Sequence, residues 1–273
     1  MTRPPLALAQ LMALPYAPPR MVQLAADTGC AAAGIRLLPT TLGGLHYPLM
    51  DDPAMLRETL AVIAGTGARV LDLEVLRIDP DFDARRLARF LEVGEQLGAR
   101  HILVAGDDPD VARMTASFAS LCEAAARHGL TADLEFMPWT EVPDVRAAAR
   151  IVGGAAQPNG GILVDALHFA RCGSTLEDIR ALDPHWLHYA QICDGPVPGP
   201  DTVEGLVHAA RCERMLPGEG DLDLHGLFAA LPRDIQVSVE VPSDSRAPAM
   251  GYDAWARIAL AGALDVLGGG GLT

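Results

Sequence analysis

The sequence predicts an α/β protein built as a single (β/α)8 barrel. Short β-rich apolar segments alternate with longer stretches rich in alanine, leucine and arginine, which is typical of βα units around a parallel sheet. We count eight such strands in 273 residues, a length that suits a TIM barrel, for which roughly 250 residues is typical. No internal linker breaks the pattern, so residues 1–273 are predicted to form one domain.

The elements follow from local pattern and turn residues. The eight predicted strands are residues 6–10, 32–37, 70–76, 101–106, 131–135, 161–165, 187–193 and 235–241. A predicted helix at 84–97 stops at Gly98, and one at 111–128 stops at Gly129. The Pro/Gly-rich stretch 195–200 is predicted to be a functional loop after the seventh strand. The Gly-rich tail 268–273 is predicted to be disordered.

Two alternatives have less support in the sequence. A doubly wound open sheet is the rival fold, but no GxGxxG follows the first strand and no GxxxxGK phosphate loop occurs. Residues 6–14 resemble a short signal-peptide core, but no convincing cleavage site follows them. No apolar run approaches the ~20 residues that span a bilayer. Five cysteines without framework spacing fit reduced thiols, and hence a cytoplasmic location.

The net charge of the chain limits the classes of molecule that we expect it to bind. The chain carries 35 acidic against 21 basic residues, a formal net charge of −14. Such a protein repels nucleic-acid phosphates and anionic lipid surfaces, so neither nucleic acid nor membrane is an expected partner. A small-molecule substrate is expected instead.

Four oxygen-donating side chains stand near the ends of the last four predicted strands of the barrel. They are Glu135, Asp165, Gln191 and Glu240. Barrel enzymes keep their active sites at the carboxyl ends of the strands, so these side chains should converge. Carboxylates that converge in a dry site repel one another unless a cation joins them, and oxygen ligands suit Mg2+ or Mn2+. Any one of these acids could instead cap a helix or form an ion pair.

At this point the chain resembles the xylose-isomerase-like TIM barrels, which include sugar phosphate isomerases and epimerases. The resemblance covers nearly the whole chain and is carried by the segments LEFMPWTE, VDALHFARCG, YAQICDGP, RMLPGEGDLDL and SVEVPSD. It implies one divalent metal ion on Glu135, Asp165, Gln191 and Glu240. Gln191 stands where ketose epimerases have histidine, a change that favours harder ions such as Mg2+ or Mn2+. The similar 3-dehydroshikimate dehydratases also use glutamine there.

The resemblance also implies roles for three residues in catalysis. Glu135 and Glu240 would act as acid and base on opposite faces of the substrate, moving a proton alpha to a carbonyl through a metal-stabilised enediolate. His168, in a DxxH pattern with Asp165, would contact a substrate oxygen, although it could simply cap a helix.

Four further residues are candidates for substrate binding. Arg36 and Arg214 could clamp a carboxylate or phosphate, with salt bridging as the rival role. Trp139 could stack on a sugar, or pack over the barrel rim. Glu141 matches a second substrate-binding glutamate in the epimerases, but it could equally start a helix.

Two other acids are harder to assign. Glu74 ends the third strand, where it could reach the site, but a structural role is the default. Asp133 points the same way as Glu135 into a layer that is normally apolar, and only a slip or bulge in its strand would account for it.

The leading hypothesis is a metal-dependent isomerase or epimerase of a small α-hydroxycarbonyl compound: a sugar, sugar phosphate or keto acid. A lyase of the 3-dehydroshikimate dehydratase type is the alternative. A DNA-repair endonuclease of the same fold would need strand-end histidines that are scarce here, and a non-catalytic binding barrel stays open. Such barrels are commonly homo-oligomers, but no residue specifies the number of copies.

Overall fold

Eight parallel strands close into a barrel, and each strand pairs with its neighbours in the chain while the first also pairs with the last. This is a computed structural model, and it describes residues 6–41 and 43–268. The strands are β1 (Leu6–Leu8), β2 (Ala32–Arg36), β3 (Arg69–Ile78), β4 (His101–Gly106), β5 (Thr131–Glu135), β6 (Gly160–Asp165), β7 (Tyr189–Ile192) and β8 (Gln236–Val239). The predicted fold class is confirmed.

Helices alternate with the strands and form the outer layer. They are α1 (Pro18–Asp27), α2 (Pro53–Thr66), α3 (Ala88–Leu97), α4 (Val111–Ala126), α5 (Val145–Ala155), α6 (Ala166–Arg171), α7 (Leu176–Arg180), α8 (Val203–Cys212), α9 (Leu224–Ala230), α10 (Arg246–Met250) and α11 (Tyr252–Gly268). Short 3-10 turns lie at Gln10–Ala13, Ala84–Leu87 and Pro184–Trp186.

Local sequence explains where many helices begin and end. The side chains of Asp52, Asp110 and Asp144 accept hydrogen bonds from the first backbone N–H groups of α2, α4 and α5. The helix predicted to stop at Gly98 does so, because that glycine adopts the left-handed conformation that closes α3. The first turn of that predicted helix is a 3-10 turn.

The predicted strand bounds are right for β4 and β5 and differ by one to three residues elsewhere. β1 ends at Leu8 because a 3-10 turn begins at Gln10. β3 runs on to Ile78 because its last residues keep pairing with β4 beyond an irregularity in register. The stretch 195–200 lies between β7 and α8, where the loop was predicted.

The apolar core has two parts. The larger lies between strands and helices and includes Phe118, Phe136 and Trp255. The smaller fills the barrel interior below the carboxyl ends and includes Leu103, Leu163 and Tyr189. Leu163 and Tyr189 share the inward face of β6 and β7 with Asp165 and Gln191. This packed interior supports the polar side chains at the carboxyl ends of the strands from below.

Other predictions bear on the ends of the chain and its thiols. Residues 6–14, with their likeness to a signal-peptide core, contribute β1 and the following turn to the barrel. Gly268 ends α11, and residues 269–273 of the predicted disordered tail lie outside the described residues. All five cysteines are free. Within the described ranges, no helix is both long and apolar enough to cross a membrane.

Candidate metal centre

The four predicted ligands lie together at the carboxyl end of the barrel. Glu135 and Asp165 are the last residues of β5 and β6, Gln191 lies in β7, and Glu240 follows β8 directly. The strand register places Asp165 beside Gln191, and the backbone N–H of Glu240 donates to the carbonyl of Ile192 in β7 (3.1 Å). All four side chains are buried.

His168 lies against the two acids of β5 and β6. One ligand atom each from Glu135, Asp165 and His168 lies within 4.8 Å of the others. His168 Nε2 is 3.7 Å from Glu135 Oε1 and 4.0 Å from Asp165 Oδ1. The short helix α6 brings it there, since Asp165 caps that helix by accepting from the backbone N–H of His168 (2.9 Å). The described chain therefore holds a group that could bind a metal ion.

Arg214 joins two of the acids across the mouth of the barrel. Its Nη1 donates to Asp165 Oδ2 at 2.6 Å, and its Nη2 lies 2.9 Å from Glu240 Oε2. Its Nε donates to the carbonyl of Ala210 (2.7 Å). The guanidinium, predicted to clamp a substrate anion, is thus held by acids of the chain itself. Asp165 both caps a helix and forms an ion pair, the two roles that the sequence leaves open as alternatives to metal binding.

Burial and charge shift the proton affinities of the site strongly. Burial, and then the negative charges of Asp165 and Glu240, raise the pKa of Glu135 well above its ordinary value. Burial raises the pKa of Glu240 to about 7, although Arg214 opposes the shift. For Asp165 burial acts upward, but Arg214 and His168 outweigh it and lower the pKa. Burial lowers the pKa of His168 to about 4, so its imidazole is neutral at pH 7.

The residues present fit a divalent cation. Both amide atoms of Gln191 are buried without a hydrogen-bond partner, which is costly for an amide unless another group meets it. Among the described residues, no hydrogen-bond donor reaches the Glu135 carboxylate, and the neutral His168 ring lies 3.7 Å from it. An ion among these oxygens would meet the amide oxygen of Gln191 and relieve the repulsion that raises the pKa of Glu135.

Arg36 and Glu74 form a buried pair beside the site. Arg36 Nη2 donates to Glu74 Oε2 (2.8 Å), and the backbone N–H of Gln10 donates to Glu74 Oε1 (2.8 Å). Gly34 makes room for this pair, because a Cβ there would lie 2.7 Å from Glu74 Oε1. Glu74 therefore has the hydrogen-bond partners expected of a structural residue, the role that the sequence favours for it. Arg36 keeps its Nε buried and without a partner.

Trp139 and Glu141 lie in the loop after β5. The Trp139 ring is half-buried and meets the His168 ring edge-on at 5.0 Å between centroids, so it borders the site. Glu141 is exposed; its backbone N–H donates to the carbonyl of Gly106 (3.1 Å), and it starts no helix, since α5 begins at Val145. Their roles in substrate binding stay predictions.

A second polar cluster, missed by the sequence reasoning, surrounds Asp133 near the amino ends of the strands. Asp133 Oδ1 lies 2.6 Å from His188 Nδ1, and Asp133 Oδ2 accepts from Thr131 Oγ1 (2.5 Å). Thr131 Oγ1 is in turn 2.7 Å from His101 Nδ1. The predicted slip or bulge in β5 is wrong, because its register with β4 and β6 is regular. Histidines at the starts of two strands were the available signal.

The closed barrel and the acids at its strand ends define the class: a (β/α)8 barrel with an acidic site at the carboxyl ends of its strands. A comparison with family models agrees with this class. The model of the xylose isomerase-like TIM barrel family matches residues 22–261. The chain belongs to this family. None of the curated proteins matches it.

Solved structures show the same fold. The chain is similar to the IOLI protein with a bound zinc atom, at 20% identity and a TM-score of 0.80, over 98% of this chain and 99% of that one. It is also similar to a D-allulose 3-epimerase from Methylomonas sp. in complex with D-allulose, at 17% identity and a TM-score of 0.67, over 96% of each chain. A D-psicose 3-epimerase shares 15% identity with a TM-score of 0.72, over 98% of this chain and 100% of that one.

Proposed function

We propose that the protein is a metal-dependent isomerase or epimerase of a small α-hydroxycarbonyl compound, such as a sugar, sugar phosphate or keto acid. The observation that carries the proposal is the pair Glu135 and Glu240, two buried glutamates that approach the mouth of the barrel from non-adjacent strands. Two carboxyl groups placed in this way can act as base and acid, one removing a proton alpha to a carbonyl and the other returning it.

Glu135, Asp165, Gln191 and Glu240 would hold the ion, and the hard oxygen donors favour Mn2+ or Mg2+. When bound, the ion polarises the substrate carbonyl and stabilises negative charge on its oxygen. The sequence contains no lysine, so no lysine imine can activate the carbonyl instead. A cation at this donor set is therefore the activating group that the chain can accommodate.

The chain's own residues would carry the proton movements. One of Glu135 and Glu240 takes the proton from the carbon next to the carbonyl, and the other supplies a proton to the opposite face or the neighbouring carbon. His168, neutral because burial lowers its pKa to about 4, can donate or accept a hydrogen bond at a substrate oxygen. Trp139 packs edge-on against His168 and shields it from water.

The test is a screen of sugars, sugar phosphates and hydroxy-keto acids with Mn2+ or Mg2+ supplied, with products identified by chromatography and NMR. For an active substrate, Glu135→Gln and Glu240→Gln should each lower kcat at least ~100-fold, because each removes an acid–base group. Glu58→Gln, an exposed glutamate on α2, is the matched control and should leave kcat unchanged. Full activity in chelator-treated protein would refute the proposal.

A lyase of the 3-dehydroshikimate dehydratase type is the second candidate. It is favoured by Gln191, the glutamine that this chain shares with those similar enzymes at the ligand position of the seventh strand. The same proton removal would then be followed by loss of water from the neighbouring carbon. A conjugated product absorbing in the ultraviolet, formed from 3-dehydroshikimate, would identify the lyase, whereas an isomer of equal mass would identify the epimerase.

The proposal includes a cytoplasmic location, which the five free cysteines favour.

A further inference from the structure

Arg214 is a buried cation in direct contact with two of the predicted metal ligands. Its side chain is 2% exposed. One guanidinium nitrogen, Nη1, donates to Asp165 Oδ2 at 2.6 Å, and the other, Nη2, lies 2.9 Å from Glu240 Oε2. One oxygen of each carboxylate is therefore bonded to the guanidinium, while each group keeps a second oxygen with which it can bind an ion.

The chain holds this guanidinium in place from both ends of the side chain. Its Nε donates to the carbonyl of Ala210 (2.7 Å). The backbone N–H of Arg214 donates to the carbonyl of Pro242 (2.9 Å), and the next residue, Met215, exchanges two backbone hydrogen bonds with Asp194 (3.0 Å each). Arg214 cannot leave the acids without breaking these bonds. An ion that binds the acids therefore binds beside a fixed positive charge.

The charges of the ligand set match a divalent ion only when Arg214 is counted. The carboxylates of Glu135, Asp165 and Glu240 bring three negative charges to an ion, and the amide of Gln191 brings none. The guanidinium of Arg214 cancels one of the three. Two negative charges remain, and a divalent ion neutralises them.

Two neighbouring groups leave this balance unchanged. Arg36 and Glu74 form their own buried pair, with 2.8 Å between Arg36 Nη2 and Glu74 Oε2. The His168 ring is neutral at pH 7, because burial lowers its pKa to about 4. The repulsion between a guanidinium and a bound cation grows in proportion to the charge of the cation. A trivalent ion at these ligands is therefore penalised more than a divalent one.

We propose that Arg214 is a built-in counter-charge of the metal centre, which lowers its affinity for cations and lowers it more for trivalent than for divalent ions. The inference rests on the proposed function, because it concerns the ion that the four ligands would hold. It gives Arg214 a role in metal selection in place of the substrate clamp that the sequence predicts.

Calorimetric titration of two ions of different charge tests this role without any measurement of turnover. Mn2+ and Lu3+, a hard trivalent ion close to Mn2+ in size, are titrated into chelator-treated protein in a mildly acidic, phosphate-free buffer. Arg214→Met should lower the Kd of Mn2+ about tenfold and that of Lu3+ about 30-fold, because the logarithm of the change scales with the charge of the ion. Arg214→Lys keeps the positive charge and should hold both Kd values within about threefold of the wild type.

Two further variants control for structural effects. Arg246→Gln breaks the pair of an exposed arginine with Glu219 (2.7 and 3.0 Å), so it matches the loss of an arginine–carboxylate contact away from the four ligands and should leave both Kd values unchanged. Arg214→Gln removes the charge but keeps hydrogen-bond donors for the two acids, and it replaces Arg214→Met if that variant folds poorly by circular dichroism.

The pattern of Kd values decides the inference. A larger gain in affinity for Lu3+ than for Mn2+ sustains it. Equal gains for the two ions overturn it, since an effect of shape alone does not depend on ionic charge, and so does a folded Arg214 variant that binds neither ion more tightly than the wild type.

Failure of the proposed function gives a different result. A wild type that binds no Mn2+, together with an Arg214→Gln protein that does, would refute metal dependence of the natural protein while sustaining the role of Arg214. Full activity of the chelator-treated wild type would likewise refute the proposed function and leave the decision on Arg214 to the Kd values. Absence of binding by every variant would overturn both.

Discussion

At the scale of single residues, Gln191 is the side chain that we expect to set the metal preference of the candidate site. Its amide is fully buried in β7 beside Asp165, and neither of its polar atoms meets a partner in the chain. An amide oxygen is a harder and weaker ligand than an imidazole nitrogen, so a site built with it should favour Mn2+ or Mg2+ over zinc. A zinc atom is bound in the similar IOLI protein.

Replacing this amide tests its influence on metal choice. Gln191→His should raise the ratio of zinc to manganese bound at least about tenfold, because it adds a nitrogen ligand that zinc prefers. The ratio is measured by elemental analysis after equilibration with equal concentrations of both ions. Gln96→His, on the exposed face of α3, is the control and should leave the ratio as in the wild type. An unchanged ratio in Gln191→His would show that this residue is not a ligand.

At the scale of elements, β5 serves both ends of the barrel. Glu135 ends the strand at the mouth, whereas Asp133, two residues earlier, lies in the cluster with His188 and Thr131 near the other end. Burial acts upward, but His101, whose Nδ1 lies 3.5 Å from Asp133 Oδ2, and the hydrogen bond with His188 outweigh it and lower the pKa of Asp133 to about 2. The pKa of His188 is raised, because its bond to Asp133 outweighs its burial.

The cluster predicts how stability depends on pH. Asp133→Asn should lower the free energy of unfolding by about 3 kcal/mol near pH 5, because it leaves buried partners of a charged group uncompensated. Asp133 has a lowered pKa, so its contribution is present above pH ~4 and is lost as the pH falls towards 2. His188 has a raised pKa, so its contribution is present below pH ~6.5 and is lost as the pH rises through its folded-state pKa.

Urea unfolding of the wild type and Asp133→Asn at a series of pH values measures this difference. The gap between the two proteins should be widest between pH 4 and 6.5 and should narrow on either side. Asp234→Asn, an exposed acid in the turn before β8, serves as the control and should track the wild type. A gap that does not vary with pH would contradict the charge pairing.

The elements also show what the sequence can and cannot predict. β4 and β5 are predicted to the residue, because glycine and polar residues bound their apolar runs, and the strand-end acids place the site at the mouth. The partners of those acids are not predictable, because they lie far away in the chain: Arg214 is 49 residues from Asp165, and His188 is 55 residues from Asp133. Only the closed barrel brings such residues together.

At the scale of the whole molecule, the pairing of β1 with β8 joins the first strand of the described chain to the last. That the chain is one domain stays a prediction, and the closed sheet favours it, because no strand can leave without exposing the edges of its neighbours. The net charge of −14 keeps nucleic acid and anionic membranes unexpected as partners.

Thermal unfolding tests the one-domain prediction together with the metal. We expect a single transition, and Mn2+ at 100 times its Kd should stabilise the folded protein by about 2.7 kcal/mol. For a chain of this length each kcal/mol shifts Tm by roughly 2–4 °C, so the shift is readily measured by calorimetry. Glu240→Gln should reduce the shift, whereas Glu58→Gln should not. Two separate transitions would contradict a single domain.

The place of β8 in the chain has a consequence for synthesis on the ribosome. A chain made from its amino end leaves the outer edges of β1 and β7 unpaired until residues 236–239 emerge. Those same residues carry Glu240 into position opposite Arg214. The nascent protein therefore gains its closed sheet and its complete donor set in one late event, and a chain released before that event would have neither.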